Sequence, residues 1–202
     1  MMAMSGTTKV LLVAVAAGLL GVAAGLMVNG PGPLLRTEAG QRALNAAAAA
    51  SAPSPPDGVE VARRGEAIPD VSVALLGGGT LRLPADRAGR PVLVNLWASW
   101  CGPCIEEMPE LERFATAQGD TGTAVVGIAL DDEAAVREFL RKIPVSYTIA
   151  LDAAGPADAG VRLGNPKGVL PYTALIDAEG RLVKQRIGPF EHGEIDGWAR
   201  LD

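Results

Sequence analysis

The sequence predicts an α/β domain built on a mixed sheet, and three observations predict it. Apolar, β-branched segments at residues 91–97 and 124–130 alternate with segments of helical periodicity, the pattern of helices laid against a sheet. Near the C-terminus, GVLPYTALIDAEGRLVKQRIG reads as strand, turn at residues 178–180, strand, and then a helix from about Glu191, so a terminal hairpin makes the sheet mixed. The only two cysteines, Cys101 and Cys104, lie where the strand at 91–97 runs directly into a helix.

From the N-terminus, residues 10–28 carry no charge, are rich in Leu, Val, Ala and Gly, and follow Lys9. Nineteen residues at a helical rise of about 1.5 Å span roughly 28 Å, close to the hydrocarbon thickness of a bilayer. A single transmembrane helix is expected. Its length exceeds the apolar core of a cleavable signal peptide and favours an uncleaved anchor, although small residues at Ala23 and Ala24 permit cleavage. Lys9 on one side and Arg36 and Arg42 on the other barely decide orientation by charge.

Residues 30–64 change character, with prolines bracketing the alanine run 46–50. They form a tether, helical over about 36–52 or flexible, because an isolated alanine-rich helix of that length is marginal in water. The organisation is therefore 1–29 as N-terminus and anchor, 30–64 as linker and 65–202 as folded domain. Residues 65–84 alternate around Gly77, Gly78 and Gly79 and predict a β-hairpin; no lysine or helix start follows, so the glycines are a turn rather than a phosphate loop.

Residues 103–118 predict a helix with Pro103 at its start, where a missing N–H costs nothing. After the strand at 124–130, Asp131 and Asp132 open a helix over 133–143 carrying Val136, Phe139, Leu140 and Ile143 at helical spacing, and Pro144 ends it. A strand is expected near 147–151 and a helix near 156–163. A formal charge of −5 without a Lys/Arg cluster excludes the electrostatic footprint of a nucleic-acid binder.

Cys-x-x-Cys at a helix N-terminus puts the first sulfur beside unpaired backbone N–H groups and the positive end of the helix dipole, which favours a thiolate. Cys101 is the expected nucleophile and Cys104 its resolving partner. As a structural staple the pair would close too short a loop to contribute much, and two cysteines with the distant His192 cannot complete a structural zinc site. Glu107 lies one turn past Cys104 on the same helix face, where a partly buried carboxylate could take the Cys104 proton; alternatively Glu106, Glu107, Glu110 and Glu112 form a solvated acidic face. Trp97 is read as core, and His192 as an ordinary surface residue.

WCGPC after an apolar strand, within GRPVLVNLWASWCGPCIEEMPEL, resembles the active site of thioredoxins, in particular the membrane-tethered TlpA/ResA-like family. The resemblance extends more loosely from about residue 65 to the C-terminus. It implies a thioredoxin fold with a β-hairpin ahead of the core, and a domain facing the periplasm or another extracytoplasmic space. The implied activity is protein-disulfide reduction by the Cys101/Cys104 dithiol, with disulfide-containing proteins as substrates and a membrane thiol donor as reductant. Apocytochrome c cysteines or a copper-site assembly protein are the implied targets.

The same resemblance implies a cis peptide between Leu170 and Pro171, and makes Trp100, Gly102, Pro103, Leu170 and Pro171 the substrate-facing set. It gives Glu107, in C-x-x-C-x-x-E, a catalytic role. Asn95 stands where classical thioredoxins carry an aspartate, and Pro109 would kink the active-site helix midway. No cofactor or resident metal is expected. A Cu(I) carrier on this fold would want an additional histidine near the thiols, and a peroxiredoxin-like peroxide reductase would want threonine where this chain has Ala98.

Overall fold

The computed structural model describes residues 10, 12–15, 17, 18, 21, 30 and 32–201. Most of the expected membrane span at 10–28 lies outside the described residues. Those described within it are helical and expose the apolar side chains of Val10, Leu12, Val13 and Val15. Among the described residues, no helix is long and apolar enough to cross a membrane.

The chain divides into two compact units, Met1–Gln41 and Arg42–Asp202. In the first, helix α1 (Gly32–Arg36) ends as the Thr37 hydroxyl donates to Leu34 O at 2.7 Å, and Thr37 Oγ1 in turn accepts from Gly40 N at 3.1 Å. One side chain thereby closes one helix and caps the next, α2 (Glu38–Ala50), which holds the alanine run.

The second unit is organised on a seven-stranded sheet in the order β2-β1-β5-β4-β3-β6-β7. Its strands are β1 (Val71–Leu75), β2 (Thr80–Leu83), β3 (Val92–Trp97), β4 (Ala124–Leu130), β5 (Thr148–Asp152), β6 (Tyr172–Ile176) and β7 (Leu182–Ile187). β3, β4 and β5 run parallel, while β1/β2, β1/β5, β3/β6 and β6/β7 are antiparallel. This is the α/β thioredoxin-like fold with a mixed sheet. The expected hairpin is β1–β2, turned where Leu75 N and Gly79 O meet at 3.0 Å, and it extends the sheet beyond β5. Gly78 and Gly79 both have positive φ, which the turn requires and other residues rarely adopt.

Each outer edge is engaged by a neighbouring stretch of chain. The Arg82 N–H of β2 donates to Asp86 Oδ2 at 2.8 Å, a carboxylate presented by the 3-10 turn Ala85–Arg87. Beside the start of β7, Gly65 N donates to Leu182 O at 2.8 Å and Leu182 N to Glu66 O at 2.9 Å, with Ala67 bridged to Arg181.

Strand periodicity divides the core. Val92, Val94 and Leu96 of β3 point to one face and join Val126, Ile128, Ala174 and Ile176; Leu93 and Trp97 point to the other and meet Met108, Leu111 and Phe114. The latter three lie on α3 (Gly102–Gln118), which contains Pro109. Also on this face are Val136 of α4 (Glu133–Lys142) and Ile195 of α6 (Glu194–Trp198). α4 follows its N-cap residue Asp132 and has Glu133 in its first turn and Arg141 and Lys142 in its last, matching the helix dipole at both ends.

The helix expected over 156–163 is shorter, α5 (Ala159–Arg162). Asp158 accounts for this: its carboxylate accepts from Gly155 N at 3.0 Å and Val161 N at 2.9 Å, so it binds a turn behind and caps a helix ahead.

Candidate active site

Cys101 is the N-cap residue of α3 and Pro103 falls in the first turn, so the strand-to-helix junction sits where the sequence puts it. Cys101 and Cys104 are joined in a disulfide, the oxidised form of the pair. Cys101 is 6% exposed and Cys104 is wholly buried, so a partner sulfur can reach only the first. The turn before them is tied to the end of β4: Ser99 donates from its N–H (3.0 Å) and hydroxyl (2.5 Å) to Asp131 Oδ2. These bonds hold the Asp131 carboxyl below its ordinary range although burial opposes them.

Of the expected substrate-facing residues, Trp100 is 71% exposed. Trp100 and Leu170 come together, with Leu130, Pro156, Pro166 and Lys167, around a cavity of about 290 Å³. Gly102 and Pro103 are exposed beside it without lining it, and Pro171 is buried. The Leu170–Pro171 peptide is cis, as the resemblance implies; so is Leu83–Pro84, for which the sequence offered no signal. The segment before Leu170 is shaped by buried Asn165, whose amide donates to Val169 O at 2.9 Å and accepts from Val169 N at 3.1 Å.

The acidic run on α3 divides by periodicity. Glu106 and Glu112 reach solvent, whereas Glu107 is fully buried and Glu110 nearly so, on the face of Cys104, Leu111 and Phe114. Glu110 accepts from Arg113 and from Gly193 N and lies 3.3 Å from the exposed His192, contacts that keep its carboxyl acidic.

Glu107 accepts from Asn95 Nδ2 at 2.8 Å on Oε1 and from Phe190 N at 3.1 Å on Oε2. Burial pushes its carboxyl up to about 7, partly opposed by those two bonds and by the charge of Arg186. Asn95 is aimed at Glu107 because it shares the α3-facing side of β3 with Leu93 and Trp97; its Nδ2 also donates to Thr173 Oγ1 at 3.1 Å. Sequence reasoning missed Thr173, Arg186 and the Phe190 N–H, and the only signal for Arg186 was a charge within a strand-like run.

The match to known proteins covers the same region. Residues 63–198 match the Redoxin family model. The chain belongs to the Redoxin family. Within that family it is similar to the thiol-disulfide oxidoreductase ResA of Bacillus cereus, 29% identical over 67% of this chain and 76% of the relative. It is also similar to the thioredoxin-like protein YneN of Bacillus subtilis, 31% identical over 69% of this chain and 81% of the relative. Among solved structures, a thiol:disulfide interchange protein DsbE from Chlorobium tepidum superposes with TM-score 0.56 at 30% identity, over 64% of this chain and 88% of that one. With its cysteine pair at the start of α3, this Redoxin-family chain is a thiol-disulfide oxidoreductase of the ResA and DsbE type.

Proposed function

We propose that the protein is a membrane-anchored, periplasm-facing reductase of disulfides in partner proteins, serving cytochrome c maturation or metal-site assembly. The observation that carries the dithiol exchange is the asymmetry of the pair: a reachable Cys101 at a helix start, and a buried Cys104 one turn from a buried carboxylate that titrates about 7.

In the reduced protein the Cys101 thiolate attacks one sulfur of a partner disulfide. A Cys101–partner bond forms, the partner S–S bond breaks, and the first partner thiolate leaves. Glu107 accepts the Cys104 proton, and the Cys104 thiolate attacks Cys101 Sγ. The mixed disulfide breaks, the second partner thiolate leaves, and the chain holds the Cys101–Cys104 bond. Two electrons have passed to the partner, and a membrane thiol donor returns them.

The Gly102–Pro103 dipeptide between the cysteines supports the reducing direction, since it resembles reducing thioredoxins. The anchor is supported by the uncharged run at 10–28 and the exposed apolar side chains described within it. The outward face rests on the resemblance to membrane-tethered thioredoxins.

The test is a Cys104→Ser trap in the full-length protein, paired with the reduction potential of the parent. Mixed disulfides between Cys101 and extracytoplasmic proteins, together with a potential nearer about −270 than −120 mV, are expected. A potential above about −150 mV would overturn the reductase direction.

A further inference from the structure

The sheet carries a polar row directly beneath Glu107. Asn95 on β3 stands opposite Thr173 on β6, and Thr173 stands opposite Arg186 on β7. Strand registry puts all three on the face that packs against α3. On the other side of Asn95 the row continues as Gly127 of β4, where a side chain would press on Trp97 Nε1, Tyr147 and Ile149.

Arg186 is 1% exposed, and its guanidinium binds Glu194 in fork geometry, Nη1 to Oε1 at 2.8 Å and Nη2 to Oε2 at 2.9 Å. Nη2 also donates to Pro189 O at 2.8 Å, and the guanidinium lies 4.4 Å from the centre of the Phe190 ring. Glu194 Oε2 accepts in addition from Glu191 N at 2.9 Å. The pair therefore grips the loop at Pro189, Phe190 and Glu191, and the N–H of Phe190 is the group that donates to Glu107.

We propose that Arg186 and Glu194 are positioning residues for disulfide exchange: their ion pair holds the 188–193 loop so that the Phe190 N–H stays on the Glu107 carboxylate. The proposal rests on Glu107 as proton acceptor for Cys104. Burial without compensation would keep Glu107 protonated at neutral pH and unable to take that proton. The compensation comes from Asn95 on the sheet, the loop N–H of Phe190 and the cation of Arg186. Tyr147, buried and uncharged, faces the same region, and Glu110 on the same helix is occupied by Arg113, Gly193 N and His192. An ion pair of this kind is a poor source of stability, since desolvating Arg186 offsets much of the attraction to a half-buried Glu194. Its geometry instead directs a backbone donor at the proton acceptor.

The experiment follows the resolving step of the reduced full-length protein with oxidised glutathione as the disulfide, by tryptophan fluorescence across the pH range. Arg186→Gln is expected to raise the midpoint by about one unit, a tenfold change in proton affinity. Arg186→Lys, which keeps the charge but not the fork, should raise it less. In a Glu107→Gln background, Arg186→Gln should add no shift. A folded Arg186→Gln protein with the parental midpoint overturns the proposal.

Should Arg186→Gln fail to fold, Glu194→Gln carries the test through amide exchange at Phe190, expected to quicken by at least about tenfold as the loop is released. Parental protection there overturns the clamp. A parental pH profile in Glu107→Gln alone overturns the proton-acceptor reading, and with it the catalytic part of the proposal, while Phe190 exchange still decides whether the clamp exists.

Discussion

Val92, Val94 and Leu96 on one face of β3 enter a cluster of aliphatic neighbours, while on the other face Leu93 and Trp97 flank Asn95, a buried amide bonded to a buried carboxylate. The two faces share a strand, a registry and near-complete burial, yet only the second holds a buried carboxylate. That face lies under the cysteines. Burial alone raises the proton affinity of Glu107, and the hydrogen bonds around it limit the rise, so its position near 7 is a balance between opposing effects rather than the result of either. The apolar face has no such balance and should respond to mutation through packing alone.

Leu96→Ala, at a fully buried site on the apolar face, offers the largest contrast. It should cost about 4 kcal/mol of unfolding free energy by cavity formation, measured by urea titration, with the same penalty at about pH 5 and pH 8. A pH-dependent penalty would break the distinction between the faces.

Glu107→Gln should act mainly through pH. A carboxyl whose folded pKa is raised contributes stability in its protonated form, fully present below the unfolded value of 4.5 and lost as pH rises through about 7. The parent should therefore lose up to about 3 kcal/mol across that window relative to Glu107→Gln, in paired denaturation curves of the oxidised proteins. Parallel stability profiles would place Glu107 on the same footing as the apolar face.

Asn95→Ala is the smallest of the three. It removes donors to Glu107 and Thr173 and should cost about 1.5 kcal/mol. Because the Asn95 bond favours the ionised carboxylate, Glu107 should titrate higher in this variant, read by carboxyl carbon NMR. A downward movement would mean that the amide acts chiefly by excluding water.

The sequence carries the local parts of this arrangement. The strand at 124–130 coincides with β4, and Pro103, Asp132 and the glycine turn sit where their backbone preferences put them. Position along α3 also places Glu107 one turn from Cys104, but composition suggests solvent for the whole acidic run, and only packing separates Glu107 and Glu110 from Glu106 and Glu112. The helix near 156–163 contracts because Asp158 binds backbone on both sides, a choice that residue makes as readily as helix. Arg186 is the instructive omission. Its neighbour in the sheet is Thr173, and that residue's other neighbour is Asn95, 78 residues earlier in the chain, so the row exists only once strand order and registry are settled.

The contacts at the sheet edges bear on how such a protein avoids self-association. An open strand edge invites the same strand of a neighbouring molecule to add to it. Here a carboxylate from Asp86 occupies the N–H of Arg82 at one margin, and a preceding stretch of the chain lies along the start of the other. Edge-to-edge pairing is opposed at both of these places.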